Sequence, residues 1–158
     1  MAIPAYYNKE MARALPGQIS DTSAYNVDGA CVVNAPYILV GVAVQVEEMD
    51  AMGHKVIKGF GNGAIAYGVA ARSHFQTTSA SGEMLYEQGS GINVLTAGRV
   101  WIRVSDEQLE AQTFGTPVKL DAAGMAKKDG ANVTGWTYTG DVTTFKGVKL
   151  AEIQLHQI

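Results

Sequence analysis

The chain has 158 residues, of which 47% are hydrophobic and 17% are charged. A length close to that of one average domain, with an ordinary apolar fraction, favours a single folded domain and excludes a wholly disordered chain. With 12 Lys and Arg against 15 Asp and Glu, the net charge of −3 argues against nucleic acid as the main ligand, and the low charge density indicates surface that associates with other molecules.

Residues 1–28 are predicted to form an extended N-terminal arm that precedes a single β domain at 29–158. The apolar residues of this segment follow neither the two-residue period of a strand nor the 3.6-residue period of a helix. Pro16 and Gly17 mark a turn within it. Only 8–15 has the pattern of a short helix, which would be marginal alone. Such an arm needs a surface to lie on.

The arm carries candidate contact residues. Tyr6 and Tyr7 are adjacent, and tyrosine offers a large contact area at a modest entropic cost. Together with Met11, Arg13 and Leu15 they are predicted to contact another protein or a second copy of this chain. The alternative, that the arm folds back on its own domain, is equally compatible with the sequence.

From residue 37 onward the sequence is typical of an all-β domain. Short runs rich in Val, Ile, Thr and aromatic residues alternate with glycine-containing turns. The glycines at 61–63 and 96–98 predict two tight hairpins. The predicted strands are 37–46, 54–60, 64–71, 91–95, 99–104, 116–120, 135–139 and 146–155.

A second short helix is predicted at 105–112, where Ser105 can act as the N-cap and acidic residues follow in the first turn. The segments 76–82 and 122–133 are rich in small and polar residues and are predicted as surface loops. The domain is therefore expected to contain very little helix.

Trp101 lies on the polar-facing side of a strand whose other face is apolar. We therefore expect it to pack beneath a loop or a neighbouring subunit.

The last predicted strand changes phase along its length. Val148 and Leu150 share one parity, whereas Ile153 and Leu155 share the other. A bulge near Ala151 would point all four inward, which makes this strand a candidate edge or corner of the sheet.

No motif in the sequence assembles a catalytic, cofactor or metal site. Cys31 is the only cysteine, which excludes an intramolecular disulfide and a zinc site built on several thiolates. His54, His74 and His156 lack the spacing that would place two ligands on one face of a strand or helix. The acidic cluster at 47–50 is interpreted as a solvated loop. The sequence thus predicts a protein that is not an enzyme.

Glycine and aromatic segments follow one another in a distinctive order along the chain. These segments are Arg13 to Asp21, Gly41-Val42-Ala43-Val44, Gly63 to Ala71, Tyr86-Glu87-Gln88-Gly89, Ile92-Asn93-Val94-Leu95 and Gly98 to Val104. Their order resembles the capsid cement or decoration proteins of tailed bacteriophages. The resemblance covers most of the chain, and its residues are structural, so the family supplies no catalytic residue. Gly41, Gly98 and Trp101 are the positions assigned structural roles.

The resemblance implies a small β-barrel or β-sandwich, jelly-roll-like, that binds the outer surface of a phage head as a homodimer or homotrimer. Its implied partner is the major capsid protein, with neither nucleic acid nor membrane involved. Because no signal peptide is apparent, we expect synthesis in the host cytoplasm before assembly into the virion. Many copies, each bridging neighbouring capsid subunits, would stabilise the expanded shell.

Two other hypotheses remain open on the sequence alone. A β-sandwich module that binds carbohydrate or a receptor would use Trp101 or Trp136 as a stacking platform. An enzyme of barrel-shaped β architecture would require a metal.

Overall fold

The computed structural model describes residues 12–156, in which every regular element is a β-strand. The predicted all-β fold is confirmed, with the strands of this part of the chain in three sheets and no closed barrel. None of the described residues forms a helix long and apolar enough to cross a bilayer. The strands are β1 (Asn26–Asp28), β2 (Cys31–Val33), β3 (Tyr37–Leu39), β4 (Ala43–Met49), β5 (Lys55–Gly59), β6 (Gly68–Ala70), β7 (Thr77–Thr78), β8 (Met84–Glu87), β9 (Val94–Ala97), β10 (Arg99–Arg103), β11 (Pro117–Leu120), β12 (Asn132–Phe145) and β13 (Val148–Gln154).

The six-stranded sheet has the order β1-β9-β6-β4-β5-β2 and is strongly curled. Strands spaced about 4.8 Å apart would place the two edges of a flat six-stranded sheet roughly 24 Å from each other. Only Gly29 and Ala30 connect β1 at one edge to β2 at the other. Because two residues cannot span that distance, the sheet bends back on itself and brings its edges together.

The curled sheet is the middle layer of the fold, and its central strands are buried on both faces. Val69 and Leu95 point into the core shared with the four-stranded sheet, which has the order β10-β13-β12-β11. Their neighbours Ala70 and Val94 point into a second core, shared with the three-stranded sheet of order β3-β8-β7. Burial on both faces explains why these strands are continuous apolar runs in the sequence.

The four-stranded sheet is extended at its β10 edge by the end of the arm. Ile19 forms an antiparallel bridge with Val100. The amide of Trp101 donates to the carbonyl of Gln18 at 3.0 Å, and the amide of Gly17 donates to the carbonyl of Trp101 at 2.8 Å. Residues 17–20 therefore occupy the position of a further strand and cover an edge that would otherwise expose unpaired backbone groups.

The arm and the domain interlock through two glycines. Gly17 and Gly41 have φ angles of 70° and 90°, in the left-handed region that side chains disfavour. A Cβ atom on Gly41 would lie 2.9 Å from the amide nitrogen of Gly17, and one on Gly17 would lie 2.5 Å from Cγ1 of Val40. Two backbones can approach this closely only if neither residue carries a side chain.

The predicted strand 37–46 is in fact two strands in different sheets. β3 ends at Leu39 and β4 begins at Ala43. Between them Gly41 turns the chain from the three-stranded to the curled sheet, while its amide donates to the carbonyl of Ala70 at 2.8 Å. An apolar run does not reveal such a turn, because Val40 and Val42 are buried on either side of it.

Neither predicted hairpin forms. The glycines at 61–63 make a turn, but β5 and β6 both pair with β4 and not with each other. The glycine at 96–98 lies between β9 and β10, which belong to different sheets. Gly98 has a φ of 109° and turns the corner between layers. Local turn residues signal a reversal, whereas the partners of the flanking strands depend on the whole fold.

The predicted bulge near Ala151 and the edge position of the last strand are also wrong. β13 pairs with β10 on one side and β12 on the other, and its pairing with β10 is continuous. Both parities are buried because both faces are covered: Leu150 packs against Trp101 and Ala14, and Ile153 packs in the main core. The register irregularity lies instead on β12, where Gly140 has a φ of 99°.

The helix predicted at 105–112 does not form. The Lys149 ammonium group donates to the carbonyl oxygens of Asp106 and Glu107. These carbonyls would accept intrahelical hydrogen bonds in a helix, so a tertiary contact replaces the local one. Of the helix predicted at 8–15, residues 12–15 are not helical, and the remainder lies outside the described residues.

The strands that the sequence pattern missed are short. They are β1, β2, β7 and β8, each with two to four residues. β1 falls in the predicted arm, and β7 falls in the predicted loop 76–82. Runs of this length carry too little alternation to be distinguished from loops.

Asp28 joins the edge of the curled sheet to its interior strands. Its carboxylate pairs with the ammonium of Lys55 on β5 at 2.7 Å and accepts hydrogen bonds from the hydroxyl of Tyr67 and the amide of Ala30. Burial on its own would raise the pKa of Asp28, but the hydrogen bonds from Lys55 and Tyr67 outweigh it and lower the pKa to about 2. The ionised carboxylate therefore stabilises the curled sheet.

We expect the free energy of unfolding of Asp28→Asn to depend less on pH in the acid range than that of the wild type. The folded-state pKa lies below the ordinary value of 3.8, so the contribution of Asp28 is complete above pH 4 and is lost as the pH falls towards 2. The variant should be less stable at pH 7 by roughly 2 kcal/mol, and the difference should shrink between pH 4 and pH 2. Urea unfolding at these pH values measures the difference in free energy of unfolding between the variant and the wild type. A difference that does not change with pH would contradict the stabilising role of the ionised Asp28 carboxylate.

Trp101→Ala should destabilise the protein by about 3 kcal/mol, because it removes a large side chain from between β13 and the arm. Chemical denaturation measures the change. Phe114→Ala is the matched control, since the Phe114 side chain is 70% exposed and its loss should cost less than about 0.5 kcal/mol. Equal effects of the two substitutions would show that the packing of the arm on Trp101 contributes nothing.

Candidate functional site

The chemistry-bearing side chains of the described residues are dispersed. Within residues 12–156, no three His, Cys, Asp or Glu side chains are grouped so that they could hold a metal ion. The acidic cluster at 47–50 closes the turn between β4 and β5. Asp50 accepts hydrogen bonds from the amides of Met52 and His54, both at 2.8 Å, and lies 3.0 Å from Nδ1 of His54. These contacts shape a turn and leave no open carboxylate cage.

Cys31 is buried beside Asp28 in the second core. Burial, together with the neighbouring Asp28 carboxylate, raises the pKa of the Cys31 thiol to about 12. The thiol is therefore protonated at neutral pH and is not activated as a nucleophile.

Neither tryptophan presents a ring face to solvent. Trp101 is 4% exposed beneath the arm, and Trp136 is 1% exposed in the main core. A stacking platform for a sugar requires an accessible aromatic face, so the hypothesis that either residue serves as one is wrong.

The described part of the arm is anchored on the body of the protein. Nη2 of Arg13 lies 2.5 Å from Oδ1 of Asp141 on β12; the Arg13 side chain is 59% exposed and that of Asp141 is 37% exposed. Leu15 is half-buried, and its amide donates to the side chain of Gln18 at 3.0 Å. Tyr6, Tyr7 and Met11 lie outside the described residues.

All three positions assigned structural roles contact this anchored segment. Trp101 packs against Ala14, and Gly41 packs against Pro16 and Gly17. A Cβ atom on Gly98 would lie 2.5 Å from the Cβ atom of Tyr25. Trp101, Gly41 and Gly98 are distant in sequence, but each contacts a part of the arm that lies against the domain.

The most exposed large apolar side chain of the described residues belongs to Ile65, which is 87% exposed. It stands between two adjoining shallow grooves at the open end between the curled and four-stranded sheets. Val133, 74% exposed, lines one of these grooves. We call this region the Ile65 surface; its members are Val46, Ile65, Ala66, Tyr67, Thr96, Val133, Thr134, Gly135, Trp136 and His156.

Hydrogen bonds hold the loop that carries Ile65. The side chain of Asn132 on β12 accepts from the amide of Gly63 at 2.9 Å and donates to the side chain of Asn62 at 3.0 Å. It also donates to the carbonyl of Leu120 at 3.1 Å, and the amide of Tyr67 donates to the carbonyl of Val44 at 2.9 Å. The exposed apolar side chain is therefore presented by an ordered loop, which lowers the entropic cost of binding.

The sequence does not indicate the Ile65 surface. Ile65 lies in a predicted strand, 64–71, and Val133 lies in a predicted loop, 122–133, and the two residues are about 70 positions apart along the chain. Neither position carries a local pattern that distinguishes exposed from buried valine or isoleucine. Only the tertiary pairing of the Gly61–Gly63 turn with β12 brings the two side chains to one surface.

Comparison with known proteins gives a consistent result. Residues 3–156 match the family model described as structural cement protein (E217 gp24/Pam3 gp6). No curated protein matches the sequence significantly.

Among solved structures, the fold is similar to a chain in the structure titled "The capsid of Myoviridae Phage XM1". The two chains are 20% identical, the match covers 99% of each, and the TM-score is 0.66.

Proposed function

This chain belongs to the family of structural cement proteins, and from that premise we propose that it binds the outer surface of a phage head and clamps neighbouring subunits of the major capsid protein. Its role is structural, in stabilising the capsid of the virion. We propose that it attaches there as a homodimer or homotrimer. We further propose that the protein has no catalytic activity.

The Ile65 surface is the observation that carries the proposal. Ile65 and Val133, 87% and 74% exposed, line one groove, and a clamp needs apolar side chains that are grouped and held in position before they meet their partner. No Asp, Glu, Lys or Arg side chain lines the Ile65 surface. Such a surface suits a protein partner, since desolvating it costs little.

The arrangement of the arm supports attachment at a second place. Residues 17–20 are hydrogen-bonded along β10, and Arg13 is paired with Asp141, so the chain before Arg13 starts from a defined point on the domain. We propose that Tyr6, Tyr7 and Met11 contact the capsid or a second copy of this chain. Two contact sites on one rigid domain allow it to bridge two subunits, and many bridges on one shell act together.

We expect Ile65→Asp to weaken binding to expanded heads at least tenfold. The substitution puts a charge in the centre of an apolar contact, and losses of this size are typical of central interface residues. Cosedimentation of the purified protein with heads assembled without it measures the affinity. Because Ile65 is exposed, the melting temperature should not change.

Phe114→Asp is the control, since Phe114 is also exposed but lies outside the Ile65 surface. If both variants bind heads as the wild type does, the Ile65 surface is not the contact.

The double substitution Tyr6→Ser and Tyr7→Ser should reduce head binding while leaving the unfolding transition unchanged, because the backbone hydrogen bonds that hold residues 17–20 on β10 join other positions. The Tyr25→Ser variant, which also removes an exposed tyrosine, is the control. Unimpaired binding of the double variant would show that the arm takes no part in attachment.

A further inference from the structure

Arg103, at the end of β10, is a charged side chain buried in the domain, with 4% of its surface exposed. Its Nε donates to the carbonyl of Val40 at 2.8 Å, and its amide donates to the carbonyl of Gly41 at 2.8 Å. The turn at Val40 and Gly41, which joins the three-stranded sheet to the curled sheet, therefore fixes the position of the guanidinium group.

Most of the donors of this guanidinium group are unused. A guanidinium group has five N–H bonds, of which Nε uses one. Among residues 12–156, neither terminal nitrogen of Arg103 makes a hydrogen bond, and the nearest carboxylate oxygen, Oε1 of Glu83, lies 3.6 Å from Nη1. These nitrogens are not sealed from solvent, so a ligand or water that enters can complete their hydrogen bonds.

Arg103 lines a cavity of about 300 Å³ at the surface of the domain. The cavity lies where the β7–β8 turn, the β12–β13 turn and the arm converge. Lys146 is a second cation in its wall, and Glu83 is its one carboxylate, with half of its side chain exposed. The remaining lining residues are Pro16, Ser81, Gly82, Met84, Phe145 and Val148.

The backbone at Lys146 is unusual. Among the non-glycine residues that the structure describes, Lys146 alone has a positive φ angle. Its φ of 46° lies in the left-handed region, where glycine or asparagine is preferred. Lys146 and Gly147, whose φ is 80°, are the two residues of the turn between β12 and β13, a turn that requires positive φ angles at both positions. The turn thereby holds Lys146 in the wall of the cavity that Arg103 lines. Two cations and one carboxylate give the cavity a formal charge of +1 in a chain whose net charge is −3.

We propose that this cavity, the Arg103 pocket, binds a single carboxylate group, contributed in the virion by an acidic side chain of a neighbouring capsid protein. The planar fork of two terminal nitrogens matches the two oxygens of a carboxylate. A formal charge of +1 suits one carboxylate better than a doubly charged phosphate, which Glu83 would repel. The identity of the partner rests on the proposed function, whereas the carboxylate site in the isolated protein does not.

The first test uses the purified full chain and acetate as the probe, at constant ionic strength with sodium chloride. The Nε–H resonance of Arg103, followed by NMR, should shift and saturate as acetate is added. Glu83→Gln removes the competing carboxylate, so this variant should bind acetate several-fold more tightly than the wild type. Absence of a saturable shift in both proteins would overturn the proposal, as would tighter binding of inorganic phosphate than of acetate.

A second variant separates binding from folding. Lys146→Gly removes the cation and relieves the left-handed backbone, so it should fold at least as stably as the wild type and bind acetate several-fold more weakly. Lys119→Gln makes the same change in net charge on an exposed position of β11, outside the pocket, and should bind acetate as the wild type does. Equal acetate affinities for Lys146→Gly and Lys119→Gln would show that the pocket is not the site.

Cosedimentation with heads then tests the partner. Lys146→Gly should bind heads more weakly than Lys119→Gln. If acetate binds the pocket but both variants bind heads equally, the carboxylate does not come from the capsid, and the assignment of the partner is overturned while the proposed function stands. Failure of the wild type itself to bind heads would instead overturn the proposed function and leave the acetate result intact.

Discussion

The close approach of Gly17 to Gly41 is the constraint on which the rest of the structure depends. At this point the arm, the curled sheet and the end of β10 meet, with the backbones in contact and both glycines in the left-handed region. The carbonyl of Gly17 accepts from the amide of Arg72 at 2.9 Å, and the carbonyl of Gly41 accepts from that of Arg103 at 2.8 Å. The arm and strands of all three sheets thus meet at this point.

This junction determines how the surfaces of the protein are arranged. It holds the arm over Trp101 and gives β13 a second covered face, and it places the guanidinium of Arg103 at the floor of a cavity. The Ile65 surface is supported separately, through the hydrogen bonds of Asn132. The residues that we propose to contact the capsid are thus held on elements that hydrogen bonds fix to the body of the protein.

Much of the fold class could be predicted, but the pairing could not. Runs of β-branched residues from Ala43 onward correctly indicated strands, because burial on both faces makes them continuously apolar. The phase change between Leu150 and Ile153 was real, but the inferred bulge was wrong, since an alternation pattern does not say whether the second face is covered by another part of the chain. The hairpin predicted at 96–98 is wrong for a similar reason. The pattern indicates a turn at Gly98, but it does not show that the turn connects strands of two different sheets.

The sequence by itself determined that this is a β protein with little charge, and its ordered glycine and aromatic segments indicated the cement family. These properties depend on composition and local pattern, which are present in the chain before it folds. The tertiary structure alone decided where the arm lies, which apolar residues remain outside, and that the donors of Arg103 face a cavity. Each of these results from contacts between residues far apart along the chain, such as Gly17 with Gly41 and Asn62 with Asn132.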